Sequence, residues 1–270
     1  MKITIIGNGY VGKATKLALE QGNEPLGEIF IYDKVADKSE CSLTEALSAS
    51  LFFVCVPTPM KRDGSCDLSS VEEVMRTLSS NGTPSSKIIF RSTVPVGTCD
   101  RFKVNFIPEF LTEANWRKDV INSQDWIVGL SEGDYGLRTS LPKALKGKMH
   151  FCSTREAELA KYARNCFLAT KVSFFNEIKA FCDAKQINYN HVKELTSLDS
   201  RINSSHTDVP GPDGKNGFGG TCFPKDIHSL SSQMEKVIIP HVIKAVIYRN
   251  EFTDRPEKDW ERNEGRSVSS

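Results

Sequence analysis

A short β-branched run, Ile3 to Ile6, is followed by Gly7, Gly9 and Gly12 at G-x-G-x-x-G spacing. A helical pattern comes next, with Val11, Ala14, Leu17 and Ala18 on one face. No other stretch restricts the fold as much. The first glycine permits a tight strand-to-helix turn, the second lets a pyrophosphate approach the backbone, and the third lets helix and strand pack closely. The helix N-terminus then offers free N–H groups and a dipole to an anion. The motif gains weight from context. A second apolar run, Ile29 to Tyr32, ends in Asp33, about 20 residues after the glycines, as in dinucleotide-binding units. A carboxylate there accepts ribose hydroxyls and repels a 2′-phosphate, which favours NAD over NADP; Lys34 beside it blurs that preference. The competing reading is a flavodoxin-like βα turn with an incidental aspartate.

The alternation continues with Leu51–Val56, Lys87–Phe90, Val104–Ile107 and Trp126–Gly129, which read as buried parallel strands separated by helical or loop segments such as Leu68–Ser79. This predicts an α/β fold, a Rossmann-like doubly wound parallel sheet over residues 1–153, followed by a smaller helical domain over 154–270. Ligands of such sheets sit at the carboxyl ends of the strands. The residues there are VPTP with Pro57 and Thr58, RSTVPVGT with Thr93, and PEFLTE with Glu109 and Glu113. Prolines at strand ends are ordinary turn punctuation; the hydroxyl and the two carboxylates, expected to face one crevice, carry more information.

Arg155 to about Lys185 reads as one long helix capped by Thr154. Lys161 and Asn165, four residues apart, share a face that Leu168, Val172 and Asn176 continue. Two readings remain open: a snorkelling lysine and a solvated asparagine, or an oxyanion-stabilising pair. After the helix comes a loop of roughly 30 residues, too long for a mere connector. It holds the cations Arg201 and Lys215 and ends in GFGGTCFPKD, Gly217 to Asp226. A structural cysteine belongs among apolar residues. Cys222 follows a glycine-rich approach and precedes Lys225 and Asp226, which suits a reachable nucleophile. A disordered linker is the alternative, weakened by Phe218 and Phe223.

Composition narrows the partners. Of 270 residues 39% are apolar and 26% charged, and the net charge of +1 offers no basic excess for nucleic acid and no polybasic block for a membrane surface. No apolar run approaches the ~20 residues of a membrane span, and the first residues lack a signal-peptide pattern. The eight cysteines include no C-x-x-C pair, which argues against a metal site and a disulfide framework and points to a reducing cytoplasm.

The pieces GNGYVG, VPTP, STVPVGT, PEFLTE, ELAKYARN with FFNE, and GFGGTCFPKD occur in the order found in the UDP-glucose/GDP-mannose dehydrogenase family, which this sequence resembles over most of its length. The resemblance implies an NAD-dependent enzyme that oxidises the primary alcohol of a nucleotide-linked hexose to a carboxylate, using two NAD per sugar. It implies that Cys222 is the nucleophile and that Asp226 handles the proton and the water. Lys161 and Asn165 would steady negative charge on the sugar oxygen, Thr93 would position water, and Glu109 would assist thioester hydrolysis. Glu113, Arg201, Phe218, Gly219 and Lys225 would line the substrate site. Gly7, Gly9, Tyr10, Val11, Gly12, Asp33, Lys34, Pro57, Thr58 and Thr93 would hold NAD, with no metal. The family's third domain has no counterpart expected here; past Asp226 a helix near Ile238–Phe252 and a polar tail are predicted. A homodimer is implied by the same analogy. A two-electron hydroxyacid-type dehydrogenase and a non-catalytic NAD or sugar-nucleotide binder are the alternatives.

Overall fold

The structure is a computed structural model, described over residues 2–24, 27–134 and 136–269. The chain divides into two compact units. The first comprises residues 1–58 and 67–161, the second 59–66 and 162–270. The division falls inside the long helix, eight residues past the 153/154 boundary expected from the sequence pattern, counting 154 to 161.

The first unit is a seven-stranded sheet in the order β2-β1-β3-β4-β5-β6-β7. The strands are β1 (Lys2–Ile6), β2 (Glu28–Tyr32), β3 (Leu51–Val54), β4 (Ile88–Phe90), β5 (Asn105–Phe106), β6 (Asp125–Leu130) and β7 (Lys148–Ser153). Between them lie α1 (Tyr10–Glu20), α2 (Leu43–Leu47), α3 (Ser69–Ser80), α4 (Thr98–Phe102), α5 (Trp116–Ile121) and α6 (Gly136–Ala144). The central strands are apolar on both faces, so each face needs cover. On one side Ala14, Ala18 and Leu19 of α1 pack with Ile3, Ile5 and Ile31; on the other Val71, Met75 and Leu78 of α3 pack with Phe52, Val54 and Phe90. Helices on two faces of a mainly parallel sheet make the doubly wound architecture.

β1 pairs with both β2 and β3 in parallel, so the strand order reverses at β1/β3. A crevice opens at the carboxyl ends of such a pair. The expectation that every strand is parallel fails at β6, which pairs antiparallel with β5. A parallel return needs a crossover element that spans the sheet. The only helix between them, α5, has 6 residues and is about 9 Å long. β7, not anticipated from the sequence, then pairs parallel with β6.

α7 (Thr154–Lys185) has 32 residues and begins in the first unit. Thr154 does not cap it; its hydroxyl hydrogen-bonds Asp100. The second unit continues with α8 (Tyr189–Ser197), α9 (Phe223–Met234), α10 (His241–Arg249) and a π-helical turn, Asn250–Asp254. Its core joins Tyr162, Cys166 and Ala169 of α7 with Phe218, Ile227, Leu230 and Val246. The helix predicted at 238–252 starts at His241, after Pro240, and runs on through the π-helical turn to Asp254. No helix among the described residues is long and apolar enough to cross a membrane.

Candidate active site

In the first unit the glycine motif lies at the β1/β3 switch point. Gly7 adopts φ +106°, and a Cβ there would stand 2.6 Å from the Cys55 carbonyl oxygen. Gly12 faces the Gly7 carbonyl at a distance no side chain could occupy. Gly9 differs: nothing lies within 4 Å of where its Cβ would be. Gly9 is also the N-cap residue of α1, whose first N–H groups lack side-chain caps. Asp33 accepts the Asn8 N–H at 2.8 Å and the Val35 N–H at 2.9 Å, which fixes its carboxylate. A carboxylate has about four acceptor positions, so capacity remains for hydroxyl donors. Beside it, Tyr32, Asp33, Lys34, Ala36, Ser39 and Cys41 line a hollow of about 410 Å³. Asn8 Oδ1 is buried without a partner. An open approach at Gly9, uncapped helix N–H groups, a set carboxylate and an adjoining hollow together fit a dinucleotide. Tyr10 and Val11 are half-buried, Pro57 and Lys34 exposed, and Thr58 buried with its hydroxyl donating to the Thr93 carbonyl at 2.7 Å.

The same unit buries an ion pair. Lys161 Nζ donates to Glu109 Oε1 at 2.8 Å and also to the Glu109 carbonyl. Lys161 is 2% exposed, which removes the snorkelling reading. Burial pushes the Glu109 carboxyl up, but the Lys161 ammonium, the Leu111 N–H and the Arg91 guanidinium outweigh it and hold the group below the usual glutamate value. Arg91 is itself buried, its Nε has no hydrogen-bond partner, and its guanidinium lies 5.4 Å from the Trp126 ring centroid. One carboxylate thus sits between two cations. Thr93 is buried, whereas Glu113 is exposed, so the two glutamates of PEFLTE occupy unlike environments.

In the second unit Cys222 is the N-cap residue of α9 and is half-buried, with Thr221 Oγ1 3.8 Å from its sulfur. The Phe-Pro-Lys-Asp run after it is helical, because proline is well placed in a first turn. Asp226, 1% exposed, receives the Asn165 amide N–H at 2.6 Å on one oxygen and Lys225 Nζ on the other. Asn165 is 2% exposed, not solvated. Burial pulls the Lys225 ammonium down, but the potentials of Asp226 and Cys222 win and raise it well above the usual lysine value. Lys225 is therefore a fixed cation that feels both groups. Deeper in, burial pushes the Cys166 thiol far up, with Asp226 adding to the effect.

Models of the UDP-glucose/GDP-mannose dehydrogenase family match two stretches: the NAD binding domain over residues 33–140 and the central domain over 155–252. UDP-glucose 6-dehydrogenases of Pseudomonas aeruginosa and Rickettsia typhi are 32% and 30% identical over 93% of this chain, covering 65% and 67% of those proteins. The solved UDP-glucose dehydrogenase of Pyrobaculum islandicum superposes with a TM-score of 0.79 at 28% identity, covering 93% of this chain and 68% of that one. The chain belongs to the UDP-glucose/GDP-mannose dehydrogenase family. It spans about two thirds of the length of these relatives. Its cofactor is NAD, and it is an enzyme of nucleotide-sugar oxidation.

The family's NAD-binding match begins at Asp33, yet the glycines before it carry the clearest cofactor geometry. Two predicted cations are already paired by near neighbours. The Arg201 side chain is 86% exposed and grips Asp199, and Lys215 bridges Glu257 and Asp259. Phe218 is buried against Phe223, with ring centroids 6.3 Å apart. Four residues escaped the sequence reading: Arg91, Glu158, Arg255 and Ser267. Glu158 accepts the Gly97 and Cys99 N–H groups at 2.6 and 2.8 Å and so anchors the start of α4. Arg91 could have been noticed as a charge closing an apolar strand; the others gave no local signal.

Proposed function

We propose that this enzyme oxidises the C6 alcohol of a nucleotide-linked hexose, with UDP-glucose as substrate, to the carboxylate through a covalent bond to Cys222. One observation carries the reading: a half-buried thiol at the head of α9, with Lys225 and Asp226 in the first turn and Asn165 holding that aspartate. A two-electron dehydrogenase has no use for that thiol.

Bound NAD serves as the hydride acceptor, two molecules per sugar. The first oxidation takes a hydride and the hydroxyl proton from the alcohol. Lys161 spends two of its three N–H donors on Glu109, and the third is suited to the sugar oxygen as negative charge develops there. An aldehyde has no second hydride to release until a nucleophile adds. Cys222 sulfur forms a bond to the carbonyl carbon, giving a thiohemiacetal; loss of hydride and proton leaves a thioester. Water then attacks, the C–S bond breaks, and the thiol is restored. The balance is alcohol, two NAD⁺ and water to carboxylate, two NADH and three protons. Asp226 takes up the proton of the attacking water, with Asn165 setting its orientation. Glu109 and Thr93 are assigned to the same hydrolysis. Residues 1–153 hold NAD and contribute Glu113 to the substrate contacts, and residues 154–270 supply the nucleophile and the contacts of Arg201, Phe218, Gly219 and Lys225.

The same reading includes a homodimer in the cytoplasm. Val242, Tyr248 and Phe252 are 64%, 65% and 64% exposed, which suits a second copy, and none of the eight cysteines is in a disulfide. Sedimentation equilibrium tests the dimer. The decisive assay is NADH release from UDP-glucose with its stoichiometry. Two NADH per sugar are expected, falling at least about a thousandfold in rate in Cys222→Ser. One NADH per sugar, or a serine variant at full rate, would refute the mechanism.

A further inference from the structure

We infer that residues 250–269 form a clamp that sets the position of Cys222, with Arg255 and Ser267 as positioning residues. The inference rests on the covalent reading above for its kinetic readout, but not for its chemical one.

The approach to the cysteine, Gly217 to Gly220, holds three glycines, of which Gly217 and Gly220 have left-handed φ values of +65° and +74°. A run of this kind loses more conformational entropy on ordering than any other. Something must hold it if the next thiol but one is to meet a carbon at bonding distance. Each residue of the run is held by a different side chain. The Gly217 N–H donates to Asn176 Oδ1 at 3.0 Å. Phe218 makes a two-way pair with Asn250, its N–H donating at 2.8 Å and its carbonyl accepting at 2.9 Å. Gly219 lies against the Arg255 guanidinium, where an added Cβ would stand 2.5 Å from Cζ. The Gly220 carbonyl accepts the Ser267 hydroxyl at 3.0 Å. Three of these four holds come from residues 250–269.

The holding groups are themselves fixed. Arg255, 3% exposed, donates to Asp259 at 2.7 and 2.8 Å and pairs with Asp213 at 2.7 Å, so it is neutralised and aimed rather than free to take an anion. Ser267 is fully buried, its carbonyl accepts the Met60 N–H at 2.8 Å, and the Met60 carbonyl accepts the Ser269 N–H at 2.8 Å. The turn that follows Met60 brings Gly64 against His228 of α9, where an added Cβ would meet the histidine at 3.5 Å. The polar tail is therefore tied both to the loop before Cys222 and, through residues 60–64, to the helix after it. An apolar core contact would serve stability alone. Hydroxyl and guanidinium groups directed at the main chain just before a nucleophile fix its placement.

Two variants test the clamp. Ser267→Ala deletes only the bond to Gly220 and keeps the backbone bonds to Met60. Arg255→Lys keeps a cation between Asp213 and Asp259 but removes the planar group from Gly219. Two quantities are read on the full chain: kcat and KM for UDP-glucose and NAD, and the iodoacetamide alkylation rate of Cys222 by peptide mass spectrometry, with Cys222→Ser as the blank. Ser267→Ala should lower kcat about fivefold, with KM for NAD unchanged. Its Cys222 alkylation rate should change by a similar factor. Arg255→Lys should do more, about tenfold, by the sensitivity of reaction to small misplacements. An unchanged alkylation rate in the folded variants overturns the clamp, whatever happens to turnover. If Ser267→Ala does not fold, Arg255→Lys decides by the same criteria. A changed alkylation rate with no NADH from the unmodified chain overturns the covalent reading and supports the clamp.

Discussion

Each unit pairs a lysine with a buried carboxylate, and the two pairs are balanced differently. In the first, Glu109 faces Lys161 and Arg91, so positive charge is in excess. In the second, Asp226 faces one ammonium, Lys225, and one neutral amide, Asn165, with Cys222 as a second acid within the field of the same lysine. The first arrangement is suited to meet negative charge that appears on a bound oxygen. The second places a half-buried thiol at the head of the helix that carries the pair. The two pairs therefore differ in net charge, with positive charge in excess in the first and a matched pair in the second.

The sharpest way to break this contrast is to remove the groups in turn. Cys222→Ala should abolish the second oxidation, with a loss of at least about a thousandfold in carboxylate formation, while urea unfolding stays close to that of the parent. Lys161→Met should cost about a hundredfold or more in kcat. It also leaves Glu109 buried beside Arg91 alone, so destabilisation of about 3 kcal/mol is expected, read as a lower urea midpoint. If Lys161→Met lowers stability without touching kcat, the first pair is structural and the contrast fails.

Acid and alkali should separate the pairs next. The Glu109 carboxyl lies below its usual value in the folded chain, so its stabilisation is present above the unfolded value of 4.5 and lost as pH falls through the folded one. Lys225 lies above its usual value, so its stabilisation is present below 10.5 and lost as pH rises through the folded one. Urea midpoints measured across pH should fall at both ends. Glu109→Gln should flatten the acid limb only, and Lys225→Met the alkaline limb only. Equal effects of either variant on both limbs would show that the pairs are not independent.

How much of this was legible depends on distance along the chain. The cofactor cradle was readable because its parts are local: three glycines within six residues and a carboxylate closing the next strand. Lys161 and Asn165 were found by helical spacing, but their burial was not, since their carboxylate partners lie 52 and 61 residues away. β6 was read in the wrong direction because strand polarity depends on what α5 is too short to do. β7 was missed because Lys148, His150 and Ser153, all outward or exposed, mask its apolar residues. Arg201 and Lys215 looked like substrate cations until their nearby acids were seen to hold them. Ser267 gave no sign at all: its partner is 47 residues back, in a glycine with no side chain to pattern.

The smallest expected effect tests whether the cofactor cradle can be tuned without disturbing the second unit. Gly9 has φ −79°, which any residue adopts, and open space where a Cβ would go. Gly9→Ala should therefore leave the fold intact, or stabilise it by about 0.5 kcal/mol through the unfolded chain. The added methyl occupies the approach a pyrophosphate needs, so KM for NAD should rise severalfold, about one decade at most. The Cys222 alkylation rate should stay that of the parent, because nothing in the second unit has changed. Gly12 offers no such test, since its Cβ would strike the Gly7 carbonyl and unseat α1 from β1. A Gly9→Ala chain with unaltered KM for NAD would mean the pyrophosphate does not pass over this turn.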